Sequence, residues 1–268
     1  MASNFVAKGA DAYDSYMGRW SRKLAQPFID FAGLAKDERV IEIGCGTGSL
    51  TFELPTRANI AAIEAIDYDA QFVETARGRN KDSRINITQG DACKLQFADG
   101  QFDRALSMLV LHFVPDSDRA VSEMRRVVRP GGIAAATVWD NFGGQPGIRM
   151  FWDTLAAIEP QADTRRSAFL IRPTNRWHEL ARSFAKAGFT DVTETELSVR
   201  MEFANFDDYW LPLMAGQGTH AAYLQSLPDE TSQRVVAAVR NAYLAGQPDG
   251  PRSFVSIAWA ARGTVPRT

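Results

Sequence analysis

The stretch Val40–Leu50, VIEIGCGTGSL, limits what this chain can fold into more than any other part of it. An apolar run of strand composition ends in glycines at 44, 46 and 48. Glycine supplies left-handed backbone and lets a ligand approach the main chain closely. A strand followed by such a turn therefore reads as the nucleotide-facing loop of an α/β unit. Which nucleotide it faces depends on the residues around the glycines.

The rest of the chain repeats the same alternation of short apolar runs and helical patterns. Val40–Ile43 reads as a buried strand, followed by a short helix from about Ser49 that Pro55 closes. Ile60–Ile66 is a second strand ending at Asp67, and Asp69 caps the helix after it. Ile85–Thr88 and Phe102–Met108 are the third and fourth strands. Asp116 or Ser117 caps a helix whose apolar face carries Ala120, Val121, Met124 and Val127, stopped by the turn Arg129-Pro-Gly-Gly132. Ile133–Trp139 is the fifth strand. Strands joined by helices imply a parallel, doubly wound sheet with right-handed crossovers, and ligands beyond the carboxyl ends of the strands. After Trp139 the rhythm breaks. Residues 143–173 and 203–250 are helical, turn-rich and, in the second stretch, aromatic, and read as lid insertions. Thr174 or Asn175 caps a helix between them, Thr190–Met201 is a strand, and Ser253–Ala261 closes the chain as another. The organisation is a helical leader or lid over 1–38, a core over 39–142, 174–202 and 251–268, and the two substrate-lid insertions.

A dinucleotide fingerprint is spaced G-x-G-x-x-G. Here the third glycine stands one residue early, at Gly48, with Ser49 where the fingerprint needs glycine. A pyrophosphate also requires a helix N-terminus clear of negative charge, yet Glu42 stands just before the turn. An anion there repels a pyrophosphate and attracts a cation. A sulfonium cofactor bearing an ammonium group is such a cation, so the residues lean toward S-adenosylmethionine (SAM).

Glu42-x-Gly44-x-Gly46-x-Gly48 after a strand resembles the first motif of class I SAM-dependent methyltransferases, and further motifs follow in that family's order. The resemblance implies that Asp67 grips both ribose hydroxyls, a bidentate fit, with Tyr68 beside it. It implies that Asp91 of Gly90-Asp-Ala92 accepts a bond from the adenine amine while the Ala92 amide meets the ring, and that Met108 of FDRALSMLVLH touches cofactor. RRVVRPGG, 125–132, is similar to the family's turn before the fifth strand. The implied fold is a seven-stranded Rossmann-like sheet, its last strand antiparallel and inserted between the fifth and sixth. Within the superfamily the chain resembles the broad group that includes ubiquinone- and menaquinone-biosynthesis methyltransferases and many small-molecule enzymes. In that group a leader like DSYMGRWS, 14–21, folds over the cofactor, which makes Tyr13, Tyr16, Arg19 and Ser21 candidates, with Arg19 pairing the methionyl carboxylate. Tyr13, Tyr16 and Trp20 also fit the buried stripe of a surface helix. The cofactor-binding set is then Tyr16, Arg19, Glu42, Gly44, Cys45, Gly46, Asp67, Tyr68, Asp91, Ala92 and Met108, with S-adenosylhomocysteine (SAH) as product.

Methyl transfer from an activated sulfonium needs orientation above all, and a general base for hydroxyl, ammonium or carbon-acid acceptors. His112, just past the fourth strand, is the candidate base, with local packing as its other reading. His178 reads as structural, and His220 falls in the lid without an assigned role. Trp139, Asn141, Tyr209 and Trp210 are candidates for an aromatic acceptor pocket, or for the lid's own core. The segment 209–220 carries no substrate signature of its own.

Composition removes several classes of function. Lys plus Arg total 30 against 32 Asp plus Glu, a formal net charge of −2, with no basic track for nucleic acid. The N-terminus lacks the apolar region of a secretory signal, and no apolar run approaches a membrane span, so a cytoplasmic location is expected. Cys45 and Cys93 have no disulfide or metal-ligand pattern and read as small apolar filler, so no metal is expected. The expected function is SAM-dependent methylation of an oxygen or carbon, less so a nitrogen, of a small organic acceptor. An NAD(P)-dependent oxidoreductase and a non-catalytic SAM-binding module are the alternatives. Oligomeric state is not encoded in any motif here.

Overall fold

A computed structural model describes residues 9–215 and 219–267. Seven strands form one sheet: β1 (Arg39–Ile43), β2 (Ala62–Asp67), β3 (Ile85–Gln89), β4 (Phe102–Met108), β5 (Val128–Trp139), β6 (Thr190–Phe203) and β7 (Arg252–Thr264). Their order is β3-β2-β1-β4-β5-β7-β6. β1 to β5 pair in parallel, while β7 runs antiparallel to both β5 and β6 between them. This is the seven-stranded topology with an inserted antiparallel last strand, as expected. The order reverses at β1, whose neighbours β2 and β4 lead away in opposite directions, and a crevice opens beyond such a point.

The helices are α1 (Ala10–Tyr13), α2 (Arg19–Ala32), α3 (Leu54–Arg57), α4 (Ala70–Arg79), α5 (Ser117–Val127), α6 (Pro146–Ile158), α7 (Asp163–Leu170), α8 (Glu179–Lys186), α9 (Phe206–Ala215), α10 (Thr219–Gln225) and α11 (Asp229–Leu244), with a π-helical turn over Asp14–Gly18 joining α1 to α2. Side chains alternate across a strand, so β1 feeds two cores. Val40 joins the layer formed by α2, α4 and the lid helices, whereas Ile41 and Ile43 join the layer of α5 and α8. At the strands' amino end, Arg104 donates to both carboxylate oxygens of Glu38 at 2.8 and 2.7 Å and to the Ala32 carbonyl, all buried. That pair ties β4 to the loop between α2 and β1.

Three local expectations are corrected. Pro55 opens a helix instead of closing one: residues after Ser49 form turns, and α3 starts at Leu54 with Pro55 in its first turn, where a missing N–H costs nothing. Arg129-Pro-Gly-Gly132 does not precede β5 but lies inside it, absorbed as an irregularity opposite Phe102–Arg104, with Gly131 at φ 77°. Neither Thr174 nor Asn175 caps the next helix. Asn175 instead donates to the Leu170 carbonyl, and α8 begins after His178, whose backbone N–H and Nδ1 both meet the Glu194 carboxylate.

Candidate functional site

Beyond the carboxyl ends of β1, β2 and β4 lies a cavity of about 1020 Å³, at the upper end of the range for small-molecule sites. Its floor is the glycine turn. The N–H groups of Gly44 and Cys45 both donate to the Ile66 carbonyl, and Gly46 N–H donates to Asp67 Oδ2 at 2.8 Å. Gly44 has φ 80°, and a Cβ there would stand 2.2 Å from the Val110 side chain, so only glycine fits. At Gly46, with φ 54°, nothing lies within 4 Å of the corresponding position, which leaves that face of the turn open.

Glu42 is 1% exposed, and among the described residues its carboxylate has one hydrogen bond, from the Thr51 hydroxyl at 2.6 Å. Burial, opposed by that bond and reinforced by the charge of Asp67, pushes its carboxyl up to about 8. No cation pairs with it among the described residues. Asp67 ends β2, its two oxygens accepting from the N–H groups of Gly46 and Asp69, and burial raises its pKa as well. Asp69 caps α4 by accepting from Gln71 N–H, which fixes the turn holding Tyr68 half-exposed at the rim. Asp91 shapes its own loop by accepting from Cys93 N–H, beside Ala92.

Past β4 the backbone turns sharply. Leu109 takes φ 65°, a strained value for a branched residue, held by its N–H donating to the Thr137 carbonyl. That kink leads into a 3₁₀ turn, Leu111–Phe113, carrying His112. Burial and the nearby Arg172 charge hold the His112 imidazole well below its usual pKa, and Nδ1 is buried without a hydrogen-bond partner among the described residues. His220 is likewise buried, held down to about 3 by burial and Arg172, and boxed by the rings of Tyr16, Phe151, Trp152 and Phe169.

The cavity brings together Tyr13, Tyr16, Ser21, Glu42, Gly44, Cys45, Gly46, Asp67, Tyr68, Asp91, Ala92, Met108, His112, Trp139 and Asn141. Three expected residues lie elsewhere. Arg19 does not reach the cavity, because Asp208 takes its guanidinium at 2.8 Å through a carboxylate oxygen and at 3.0 Å through the carbonyl, over the rings of Trp20 and Phe203. Tyr209 and Trp210 belong to the packed core of α6, α9 and α11. Tyr209 stacks on Tyr243 and donates to the Gly147 carbonyl, and Trp210 stacks on Phe206. Of the segment 209–220, residues 216–218 lie outside the described residues, as does the N-terminus up to residue 8.

Several cavity features were not expected from sequence. Asp14 accepts from the Thr47 hydroxyl at 2.6 Å and pairs with Arg79 at 2.5 Å, pinning the leader onto the glycine turn. Gln145, 1% exposed, and Ser49 line the cavity with Nε2 and Oγ buried and without a partner among the described residues. Arg172 enters from the segment after α7. The leader's Asp14 stood inside the quoted motif. Gln145 and Arg172 sit in the lid without any motif.

The lining fits a cationic nucleoside. It carries Glu42, Asp67, Asp69, Asp91 and Asp116 against Arg119 and Arg172. A buried carboxyl lacking a counter-charge at the glycine turn fits the ammonium of SAM and opposes a pyrophosphate. Among the described residues no group of three or more His, Cys, Asp or Glu is arranged to hold a metal, and no helix is long and apolar enough to cross a membrane.

Residues 41–136 match the methyltransferase domain family. The ubiquinone/menaquinone biosynthesis C-methyltransferase of Bdellovibrio bacteriovorus is 32% identical over 42% of this chain and 47% of its own length. The demethylmenaquinone methyltransferase of Desulfitobacterium hafniense is 32% identical over 50% of this chain and 55% of its own. The chain thus spans about half the length of these curated relatives. In fold it resembles phosphoethanolamine N-methyltransferase 2 of Haemonchus contortus, crystallised with SAM, with a TM-score of 0.59, 16% identity, and 96% of this chain and 57% of that one covered. The glycine turn with its buried acid and these likenesses together identify residues 41–136 as a methyltransferase domain, and the inserted antiparallel strand makes the sheet similar to that of class I SAM-dependent methyltransferases.

Proposed function

We propose that this protein methylates an oxygen or carbon, less readily a nitrogen, of a small organic acceptor in the cytoplasm. The observation carrying the reading is Glu42, a buried carboxyl without a counter-charge at the floor of a 1020 Å³ cavity. Glu42 would take the ammonium of SAM, Asp67 the ribose hydroxyls, and Asp91 with the Ala92 amide the adenine edge. Tyr16 of the leader and Met108 would cover the sulfur end. When bound, SAM supplies a methyl group already activated on a sulfonium. The chain's work is then to orient the acceptor and exclude water. Trp139 and Asn141 would border the acceptor, Asn141 being oriented by its donation to the Phe169 carbonyl. His112 stays neutral at working pH because burial and Arg172 disfavour the imidazolium. With Nδ1 sealed, its Nε2 is the atom that would receive an acceptor's proton. The near-neutral chain favours a small molecule over nucleic acid.

The test is a thermal-shift series with SAM, SAH and NADH, followed by transfer of labelled methyl to a library of phenols, quinols, carboxylic acids and amines. Stabilisation by SAM and SAH with label in at least one acceptor supports the reading. Stabilisation by NADH alone would make the chain an oxidoreductase, and SAM binding without transfer to any library member would leave a binding module.

A further inference from the structure

Arg172 lacks what the chain's other enclosed arginines have. Arg104 holds Glu38, Arg126 holds Glu123 and Asp99, Arg149 and Arg166 share Asp153, and Arg19 holds Asp208. Arg172 makes no hydrogen bond or ion pair with any described residue. Its guanidinium lies over the Phe113 ring at 4.6 Å and the Phe169 ring at 5.9 Å, inside the cavity lining. Inside the cavity it acts on Tyr16, His112 and His220, while Asp118 and Glu179, which share a second, smaller pocket with it, make no ion pair with it, Asp118 being held by Lys186. Burial keeps Tyr16 protonated and both imidazoles neutral, so none of these three supplies a negative charge. A largely desolvated cation held between two rings and left uncompensated is costly unless a ligand completes it.

Two anions are available to a methyltransferase: the cofactor's amino-acid carboxylate and one on the acceptor. An amino acid's ammonium and carboxylate are joined through one carbon, so a residue binding the second must lie in the field of the group binding the first. Glu42, placed for the ammonium, stands next to last in β1, just before the glycine turn, with the Thr51 hydroxyl as its side-chain partner. Arg172 instead lies over the Phe113 and Phe169 rings, beside the aromatic box around His220 that Phe169 helps to form. That places it over the acceptor half. The charge count then selects the anion. The other cation in the lining, Arg119, is half-exposed and paired with Glu123 at 3.3 Å. One free guanidinium balances a monoanion, and its planar fork matches a carboxylate.

We propose that the acceptor is a carboxylic acid whose carboxylate is received by Arg172 and whose apolar body lies against Tyr16, Phe169 and Met214. This rests on the methyltransferase reading above and names the substrate class of the same site.

The test uses the full chain saturated with SAH. Thermal shift and calorimetry compare 4-hydroxybenzoate, cinnamate, indole-3-acetate and decanoate with their primary amides, in wild type, Arg172→Met and Arg172→Lys. At least one acid should stabilise the loaded wild type while its amide does not. Its affinity should fall roughly 10- to 100-fold in Arg172→Met, the loss of a charged hydrogen-bonded pair, and recover in part in Arg172→Lys. SAH affinity should be the same in all three proteins. The acid–amide comparison in wild type stands even if a variant fails to fold. If SAH affinity falls in Arg172→Met, the residue serves the cofactor carboxylate and the proposal is overturned while the methyltransferase reading stands. Amides binding as well as acids, or no acid binding at millimolar concentration, overturns it too. If SAH fails to bind wild type, the underlying reading fails and this proposal with it.

Discussion

Glu42 sets stability against binding, and the conflict is measurable. Its carboxyl moves from an ordinary 4.5 to about 8 on folding, chiefly through burial. The unfolded chain therefore releases a proton that the native chain keeps. For a group whose folded pKa is raised, the stabilisation is complete below the unfolded value and drains away as pH climbs toward the folded one. Between about pH 5 and pH 7 the cost to the ligand-free protein is about 2.5 kcal/mol at 1.36 kcal/mol per unit. In a chain of this size that is a fall in Tm of roughly 5–10 °C. Glu42→Gln keeps the shape and can still accept from Thr51, but it has nothing to ionise. Melts of wild type and Glu42→Gln without ligand, at both pH values, should show the wild type losing that much more. The difference between the two proteins isolates Glu42. His112 and His220, both depressed, contribute with the opposite sign but equally in each. Equal losses in both proteins would refute the assignment. The same ionisation makes SAM affinity rise nearly tenfold per pH unit from about pH 6 toward pH 8 in wild type. Glu42→Gln should bind SAM weakly with no such slope.

Two further substitutions probe the scaffold. Gly44→Ala puts a Cβ 2.2 Å from Val110 on a backbone at φ 80°. It should cost at least tenfold in SAH affinity by calorimetry, together with a lowered Tm. Arg104→Ala leaves Glu38 buried and unpaired and should cost about 3–5 kcal/mol in urea unfolding, while the Arg104→Met, Glu38→Gln double variant should cost less than that single change.

What the sequence made legible follows one physical line. The turn at Gly44–Gly48, the acid at Glu42 and the strand-ending Asp67 are short-range constraints: a φ value, a carboxylate at a strand end, a cap two residues on. Each is written in consecutive residues, and the sheet carries them to one place whatever covers it. Pro55 and the 129–132 turn were misplaced only in register, because proline and glycine punctuate without saying on which side of the element they sit. Arg19 failed for another reason. Its charge was legible, but its partner Asp208 lies 189 residues away in the lid, and a guanidinium goes to the carboxylate that packing brings nearest. Tyr209 and Trp210 failed likewise: aromatic residues at helical spacing declare a buried stripe, not whether a ligand or another ring such as Tyr243 covers it.

Arg172 inverts the case of Arg19. Two arginines beside the same cavity differ in whether the fold returns a carboxylate to them, and neither outcome is visible along the chain. A carboxylate supplied by the fold, as Asp208 is, makes a structural tie. One withheld leaves a charge to be completed by whatever binds. In this chain Arg104, Arg126, Arg166 and Arg19 meet carboxylates of the fold, while Glu42 and Arg172, both facing the cavity, have no oppositely charged partner among the described residues. A cofactor with a cationic end and an acceptor with an anionic end satisfy both at once. Neutralising either residue should therefore weaken one ligand and spare the other. Double substitution should give additive losses, since the two residues would serve different ligands and share no hydrogen-bond partner among the described residues.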